Sequence, residues 1–277
     1  MNSSPLPDIA GLPLPLSGAT RLYAIVGDPI AQAGSPGLFN TAFRRRGVEA
    51  VLVPLHVAPA DLADLVRMFR STRNFDGLVV TVPHKIGISE LIDDIAPMGR
   101  RIGAVNVIRK SGGRLVGDNF DGIGFVRGVQ TKGHALAGRR VLIIGAGGAG
   151  RAVAHAVLDA RPAHIRLFDV DTARAQAVAD ELMQTDDSIG VDVGAPDPSG
   201  FGVVVNCTSI GMKPGDPFPV LIDRLEARTL VVDIVLKPAV TPLLAEAARL
   251  GCTTHAGVHM LEGQVDAICD FFGLGPA

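Results

Sequence analysis

The stretch Val141-Leu-Ile-Ile-Gly145-Ala-Gly147-Gly148-Ala149-Gly150-Arg151 begins as an apolar run typical of a buried β-strand and continues directly into a glycine-rich turn. Its glycines at 145, 147 and 150 fit the pattern G-x-G-x-x-G. In that pattern Gly145 allows a tight turn, Gly147 lets a phosphate approach the backbone, and Gly150 lets the next helix pack closely on the strand. The N-terminus of that helix would direct its free N–H groups at a pyrophosphate. The stretch therefore predicts a strand, a turn and a helix that bind a dinucleotide.

A carboxylate further along the chain supports the same interpretation. The apolar run His164–Phe168 predicts a second strand, and Asp169 follows it roughly twenty positions after the glycine turn, where a carboxylate accepts hydrogen bonds from an adenosine ribose. The chain contains 33 glycines, so a chance match, in which the turn only packs against the sheet, is the competing explanation. The order of strand, turn, helix, strand and carboxylate favours dinucleotide binding over that alternative.

Composition narrows the class of protein without defining its chemistry. The 277 residues suffice for two domains, and 47% hydrophobic residues without a membrane-length apolar run indicate a soluble α/β protein. A net charge of −2 gives no electrostatic support for binding nucleic acid or an anionic membrane. Cys207, Cys252 and Cys269 are far apart and lack metal-site spacing, so we expect neither disulfides nor a zinc site. The expectation is a cytoplasmic protein, monomeric or homodimeric, that binds small molecules and no metal.

Strand-like and helix-like segments alternate along the chain, which indicates an α/β fold with mostly parallel sheets. Short β-rich runs such as Leu22–Val26 and Leu78–Val80 occupy the first half, and the glycine turn opens a second series of strands and helices. This pattern predicts two lobes, the second of them a Rossmann-type dinucleotide-binding domain. An amphipathic helix from Val258 to Phe272 is expected to pack back on the first lobe. The proline-rich residues 1–17 predict a poorly ordered leader.

Polar residues at strand ends of the first lobe are candidates for chemistry. Lys85 closes the segment Thr81-Val-Pro-His-Lys85, which follows the run Leu78–Val80 at the carboxyl end of a strand, where open α/β sheets keep their ligands. Asn106 and Asp121 lie near further strand ends or turns. Taken singly, each also has a structural explanation: a surface charge, a turn former and a helix N-cap.

Together with further motifs, these residues resemble the shikimate dehydrogenase family over nearly the whole chain, from Tyr23 to Phe272. The matching segments occur in the family's order. They are Tyr23-Ala-Ile-Val-Gly-Asp-Pro-Ile30, Ser35-Pro36, Thr81-Val-Pro-His-Lys85, Gly103-Ala-Val-Asn106, Gly117-Asp-Asn-Phe-Asp-Gly122, Gly145-Ala-Gly-Gly-Ala149 with Arg151, Asn206-Cys-Thr-Ser-Ile-Gly-Met212, Thr241-Pro-Leu-Leu244 and Met260-Leu-Glu-Gly-Gln264.

The resemblance implies that each lobe binds a different ligand. By it, residues 18–120 and the C-terminal segment 257–277 bind a cyclic hydroxy acid, while residues 121–256 bind the nicotinamide cofactor. The catalytic pair of the family falls on Lys85 and Asp121. The substrate-binding positions fall on Ser35, Thr81, Asn106, Phe120 and Gln264. The cofactor-binding positions fall on Gly145, Gly147, Gly148, Ala149, Gly150, Arg151, Asp169, Thr208, Leu236 and Gly257.

Four departures from the family pattern bear on specificity. Ala33 stands where the family usually has a serine, which removes one hydroxyl donor to the substrate carboxylate. Phe120 replaces a small hydroxylated residue beside the catalytic pair, and Leu236 replaces a tyrosine near the cofactor. The segment Asp169-Val170-Asp171 stands where NADP-using members resemble Asn-Arg-Thr. A 2′-phosphate would meet negative charge there, so we expect NAD as cofactor rather than NADP.

Oxidation of a secondary alcohol requires loss of a hydride to the nicotinamide and loss of a proton from the hydroxyl. A lysine near a carboxylate can hold that hydroxyl and stabilise the developing alkoxide. The resemblance therefore implies an NAD-preferring oxidoreductase that acts reversibly on shikimate, giving 3-dehydroshikimate, or on quinate or a related cyclic hydroxy acid. Two alternatives stay open: a divergent member with a different hydroxy-acid substrate, and a dinucleotide-dependent regulatory or binding protein without turnover.

Overall fold

The computed structural model describes residues 16–275, which form two six-stranded sheets connected by helices. The predicted leader at 1–17 lies almost wholly outside the described residues, as do residues 276–277. The predicted α/β fold with two lobes is confirmed, since each half of the chain builds its own sheet. The domain boundaries at 120/121 and 256/257 remain predictions.

The first sheet is parallel at one edge and antiparallel in its middle. β1 (Arg21–Gly27) pairs in parallel with β2 (Ala50–His56) and β3 (Phe75–Val80). Three further strands complete the order β2-β1-β3-β5-β6-β4, namely β4 (Asp94–Ile95), β5 (Val107–Ser111) and β6 (Arg114–Asp118). Gly112 and Gly113, both at positive φ, make the tight turn that sets β6 antiparallel to β5. This hairpin was not among the features predicted from the sequence, although its Gly-Gly pair was a usable signal.

Helices cover both faces of the first sheet, because β1 is apolar on both sides. The face that includes Tyr23 and Ile25 packs on α1 (Ser35–Arg45) and on the last helix, α8 (Val258–Phe271). The opposite face, with Ala24 and Val26, packs on α2 (Leu62–Ser71). The predicted return of the last helix to the first lobe is therefore confirmed. A short helix, α3 (Pro97–Ile102), precedes β5.

The second sheet is wholly parallel and has the order β12-β11-β10-β7-β8-β9. Its strands are β7 (Arg140–Ile144), β8 (His164–Phe168), β9 (Gly190–Val193), β10 (Val203–Asn206), β11 (Leu230–Asp233) and β12 (Thr253–Ala256). The connecting helices include α5 (Gly148–Asp159), α6 (Thr172–Thr185) and α7 (Pro242–Arg249). The strand order reverses between β7 and β10, which is where sheets of this topology bind a dinucleotide.

Two helices, α4 (Asp121–Thr131) and α8, lie side by side where the lobes meet. Glycines bring their backbones into contact: a Cβ on Gly124 would lie 2.4 Å from the carbonyl oxygen of Met260, and one on Gly263 would lie 2.4 Å from that of Gly124. Larger residues would separate these helices and shift the side chains that they carry toward the cleft. Within residues 16–275 no helix is long and apolar enough to cross a membrane.

Candidate active site

A cavity of about 430 Å³ lies between the lobes, at the carboxyl ends of strands from both sheets. It is lined by residues of β1 and β3 in the first lobe, by the loops after β10 and β11 in the second lobe, and by the inner side of α8. Most of the residues implied by the family resemblance line it. They are Ser35, Thr81, Lys85, Asn106, Asp121, Ala149, Thr208, Leu236, Gly257 and Gln264.

Lys85 and Asp121 form an ion pair at this cavity. Lys85 follows β3 and Asp121 begins α4, and Lys85 Nζ lies 2.5 Å from Asp121 Oδ2. The side chains are 16% and 5% exposed respectively, so the pair lies mostly out of bulk water. A surface lysine was the alternative explanation for Lys85, and its burial against a carboxylate argues against that explanation.

The amide of Asn106 joins Asp121 to the last helix. Asn106 Nδ2 donates to Asp121 Oδ1 at 2.8 Å and to Gln264 Oε1 at 3.1 Å. Its Oδ1 accepts from the backbone N–H of Phe120 at 2.9 Å, which fixes the orientation of the amide. Lys85, Asn106, Asp121 and Gln264 thus form one hydrogen-bonded network built from four separate parts of the chain.

The backbone holds this network in place. The N–H of Val105 donates to the carbonyl oxygen of Lys85 at 2.8 Å, so the segments that carry Lys85 and Asn106 are tied together. Asn119 Oδ1 accepts from the N–H of Asp121 at 3.0 Å, and Asn119 Nδ2 donates to the carbonyl oxygen of Ala104 at 3.1 Å. The sequence analysis gave Asn119 no role. Its position two residues before a helix start was the available signal, because asparagine often binds backbone groups there.

One wall of the cavity contains fewer polar groups than the family pattern implies. Ser35 is buried at the first position of α1, and Thr81 follows β3. Ala33 and Leu236, which stand where the family has hydroxyls, also line the cavity and present only hydrocarbon to it. The departures at positions 33 and 236 therefore change the surface that a substrate contacts.

Phe120 requires a correction to the sequence-based expectation. Its side chain does not line the cavity but packs in an apolar cluster, with its ring centroid 5.3 Å from that of Phe271. Only its backbone N–H takes part in the network, through Asn106. The Phe120 ring therefore does not form part of the cavity wall, where the expected substrate contact would require it. The sequence placed Phe120 beside Asp121, but the backbone at that point directs the two side chains differently.

The glycine turn has the geometry that a pyrophosphate requires. Gly145 has φ +97°, and a Cβ on Gly150 would lie 1.8 Å from the carbonyl oxygen of Gly145, so neither position accepts a side chain. Gly147 caps α5, and a Cβ there would meet nothing within 4 Å. The first turn of α5, with Gly148 and Ala149, is thus open for an anion at the helix N-terminus. These residues fit a dinucleotide.

Arg151 lies in the first turn of α5, and its guanidinium is directed toward α6. Its Nη2 donates to Glu181 Oε1 on α6 at 2.7 Å, and Nη1 lies 3.3 Å from the Cβ position of Gly103. The side chain therefore connects α5 with α6 and with the segment that precedes Asn106. These contacts hold the guanidinium against α6 and Gly103, and the contact with the cofactor that the resemblance implied stays a prediction.

Asp169 lies beside the glycine turn, as expected. Its Oδ2 accepts from the N–H of Ala146 at 2.8 Å and its Oδ1 from the N–H of Asp171 at 2.9 Å. Arg174 lies nearby: its guanidinium is 3.6 Å from Asp169 and 3.2 Å from Asp171. The sequence analysis missed Arg174, although its position three residues after Asp171, in the first turn of a helix, was a usable signal.

The loops after β10 and β11 are held by buried polar groups. Asp233 accepts from Asn206 Nδ2 at 3.1 Å and from Thr241 Oγ1 at 2.7 Å, while burial raises the pKa of its carboxyl. Asn206 Oδ1 accepts from Thr208 Oγ1 at 2.7 Å, which positions Thr208 at the cavity. Burial also raises the pKa of the Cys207 thiol, so this group at the cavity wall stays protonated at neutral pH. No three His, Cys, Asp or Glu side chains of residues 16–275 are placed to hold a metal.

The fold and the cavity define a two-lobed α/β protein that binds a dinucleotide at the switch point of its second sheet. A family model described as the shikimate dehydrogenase substrate binding domain matches residues 25–108. A shikimate dehydrogenase (NADP(+)) of Symbiobacterium thermophilum is 36% identical over 256 residues, which cover 89% of this chain and 87% of that protein.

Solved structures of related proteins are similar to this chain over both lobes. A shikimate dehydrogenase from Aquifex aeolicus is similar with a TM-score of 0.85 and 28% identity, covering 95% of this chain and 96% of that one. A quinate dehydrogenase from Corynebacterium glutamicum in complex with NAD is similar with a TM-score of 0.81 and 29% identity, covering 93% and 95%. This chain belongs to the shikimate dehydrogenase family, which confirms the resemblance seen in the sequence.

Proposed function

We propose that this protein is an NAD-preferring oxidoreductase that reversibly oxidises a secondary alcohol of shikimate, quinate or a related cyclic hydroxy acid. The observation that carries the proposal is the network of Lys85, Asp121, Asn106 and Gln264 at the cavity between the lobes. Family membership supports it, since relatives named for shikimate and for quinate have the same fold.

The network suits the removal of a proton from a hydroxyl. Lys85 Nζ has three hydrogen atoms to donate, one of which is directed at Asp121, so another can hold the substrate oxygen. As the hydroxyl gives its proton to Lys85 Nζ, the proton that Nζ directs at Asp121 passes to Asp121 Oδ2, so the lysine remains an ammonium that stabilises the developing alkoxide. Gln264 and Asn106 present further amide groups to ring hydroxyls. The nicotinamide cofactor, when bound, supplies the hydride acceptor.

The surroundings of Asp169 support NAD over NADP. Asp169 and Asp171 place two carboxylates where a 2′-phosphate would lie, and Val170 between them is 89% exposed and offers no positive charge. Arg174 offsets part of this repulsion, but it is already paired with both carboxylates. The Symbiobacterium relative is named for NADP(+) and the quinate dehydrogenase structure contains NAD, so the family accommodates both cofactors.

A reducing compartment such as the cytoplasm is consistent with Cys207, Cys252 and Cys269, which are all free thiols. The proposed function is tested by following absorbance of the reduced nicotinamide with shikimate, quinate and related hydroxy acids, each with NAD and with NADP. Turnover of at least one cyclic hydroxy acid is expected, faster with NAD at equal concentration. A folded protein that binds NAD but turns over none of these acids with either cofactor would contradict the proposal.

A further inference from the structure

Four charged side chains line the cavity among the described residues, namely Asp28, Lys85, Asp121 and Lys237. Lys85 and Asp121 are paired with one another at 2.5 Å, and Asp28 Oδ1 lies 2.6 Å from His56 Nε2. Within residues 16–275 no carboxylate pairs with Lys237. The positive charge of Lys237 is therefore not neutralised by any carboxylate of residues 16–275.

Lys237 reaches across the cleft between the lobes. It follows β11 of the second sheet, and its Nζ donates at 3.4 Å to the carbonyl oxygen of Ala31, in the loop after β1 of the first sheet. The same loop forms part of the cavity wall through Gln32 and Ala33, and Ser35 follows directly at the start of α1. The ammonium thus lies against the wall where Ala33 leaves out a hydroxyl donor.

The hydrogen bond between Lys237 and Ala31 is weak enough to be exchanged. At 3.4 Å its length is beyond the usual range for an N–H donor and an oxygen acceptor, and the lysine is exposed. A carboxylate accepts charge-assisted hydrogen bonds from an ammonium that are shorter and roughly twice as strong as those of a neutral acceptor. An anionic group in the cavity would therefore replace the carbonyl oxygen of Ala31 as the partner of Lys237.

We propose that Lys237 determines specificity for the substrate's charge by binding its anionic group, in place of the hydroxyl missing at position 33. The inference rests on the proposed function, since it takes the substrate to be a hydroxy acid. Lys237 is a binding residue in this role and takes no part in proton or hydride transfer. The prediction is consequently an effect on KM that depends on the substrate's charge, with kcat nearly unchanged.

The test compares an acid with its neutral methyl ester. KM and kcat are measured at saturating NAD for whichever of shikimate and quinate is turned over, and for its methyl ester. In the unmodified protein the acid should have a KM lower than the ester's by roughly 5- to 50-fold, the range between an exposed and a desolvated ion pair. Lys237→Gln should raise the KM of the acid by that factor and leave that of the ester unchanged. Lys237→Arg should keep most of the preference.

Lys132→Gln is the matched control, because Lys132 is an exposed lysine at the end of α4 and does not line the cavity. The inference is overturned if Lys237→Gln changes acid and ester equally, since a structural role would act on both. It is also overturned if the unmodified protein shows no preference for the acid. Should no acid be turned over, the proposed function fails, and calorimetric binding of shikimate and its ester to the NAD-loaded protein decides the role of Lys237. Absence of a preference for shikimate in that binding overturns the inference.

Discussion

Asn106 Nδ2 lies 2.8 Å from Asp121 Oδ1, while the other carboxylate oxygen of Asp121 is 2.5 Å from Lys85 Nζ. The carboxylate is therefore held at both oxygens, by a neutral amide on one side and by an ammonium on the other. Because Asn106 also contacts Gln264 on the last helix, the orientation of the pair depends on how α8 packs on the first lobe. The geometry of the pair formed by Lys85 and Asp121 therefore depends on the position of the C-terminal helix.

The first prediction concerns the ion pair of Lys85 and Asp121. Lys85→Met or Asp121→Asn should lower kcat by about 10²–10⁴, the usual contribution of a positioned acid–base group. Because both residues act on one proton, the double variant should be little worse than either single variant. Steady-state kinetics with a turned-over hydroxy acid, together with NAD binding by calorimetry, measure this effect. NAD affinity should stay unchanged, and a Lys85→Met protein with near-normal kcat would return Lys85 to the role of a surface charge.

The second prediction concerns the cofactor. The unmodified protein should use NAD with a kcat/KM roughly 10- to 100-fold higher than NADP, since carboxylates repel the 2′-phosphate and Arg174 offsets only part of that repulsion. Asp169→Ser combined with Val170→Arg should reverse much of the preference by exchanging a negative charge for a positive one. Initial rates with both cofactors measure the ratio. Equal or better efficiency of the unmodified protein with NADP would refute the proposed role of Asp169.

The comparison of sequence and structure separates what motifs predict from what packing decides. Lys85 and Asp121 were candidates because they follow a strand end and begin a helix, and the family resemblance added Gln264; all three line the cavity. The direction of the Phe120 side chain could not be predicted, because it depends on the apolar cluster that receives it. Arg174 was missed for a related reason, since its contact with Asp169 arises only when α6 is placed against β8.

The pairing of strands in the two sheets also differs in how far the sequence predicts it. The parallel pairing of the second sheet could be predicted from the alternation of strands and helices, because parallel neighbours need a crossover connection. The antiparallel pairing of β5 and β6 depends on a two-glycine turn, Gly112 and Gly113, within a stretch of weak hydrophobic pattern. The Gly-Gly pair was a usable signal for this hairpin, because glycine adopts the positive φ that both central residues of such a turn require.

The third prediction concerns the apolar part of the cavity wall. Ala33→Ser with Leu236→Tyr should raise kcat/KM for shikimate by about 10-fold or more, since a hydrogen bond to a charged group is worth roughly 1.5–3 kcal/mol. Both side chains line the cavity, so the new hydroxyls can reach a substrate there. A thermal melt of each variant serves as the control for folding. An unmodified protein that already has a micromolar KM for shikimate would show that other groups replace the missing hydroxyls.

The fourth prediction follows from the burial of Phe120, which is 8% exposed and packs on Phe271. Phe120→Thr should lower the free energy of unfolding by about 3 kcal/mol or more, because removing a buried ring leaves a cavity. The KM for a hydroxy acid should stay unchanged, since the ring does not line the site. Urea denaturation and steady-state kinetics measure the two effects. Phe120→Leu, which keeps most of the volume, should cost less, and an altered KM in a fully folded Phe120→Leu protein would place the ring back at the substrate.

The last prediction concerns the pH dependence of stability. His155 on α5 has a side chain that is only 2% exposed, and burial lowers its pKa from 6.5 to about 4. His255 on β12 is also buried, and burial lowers its pKa to about 4 as well. In the unfolded chain both imidazoles regain ordinary values, so between pH 6.5 and 4 the unfolded state binds protons that the folded state does not. The free energy of unfolding should therefore be highest above about pH 6.5 and fall as the pH is lowered, by up to about 1.4 kcal/mol per pH unit for each histidine.

Substitution of one histidine isolates its share of this slope. His155→Leu removes the titrating group. Nδ1 is buried with no hydrogen-bond partner among the described residues, and Nε2 loses a contact of 3.5 Å with Glu181 Oε2. The unfolding free energy of His155→Leu, measured by urea denaturation from pH 7.5 to 5, should fall less steeply than that of the unmodified protein. The control is Leu158→Ala, which removes a buried apolar side chain of the same helix and no titrating group, so it should lower the unfolding free energy by the same amount at each pH. The unmodified protein and His155→Leu contain the same carboxylates, including Asp233 with its raised pKa, so the difference between their slopes reports on His155 alone. If His155→Leu keeps the full slope, the buried imidazole is already protonated in the folded state and the assignment of the titration to His155 is wrong.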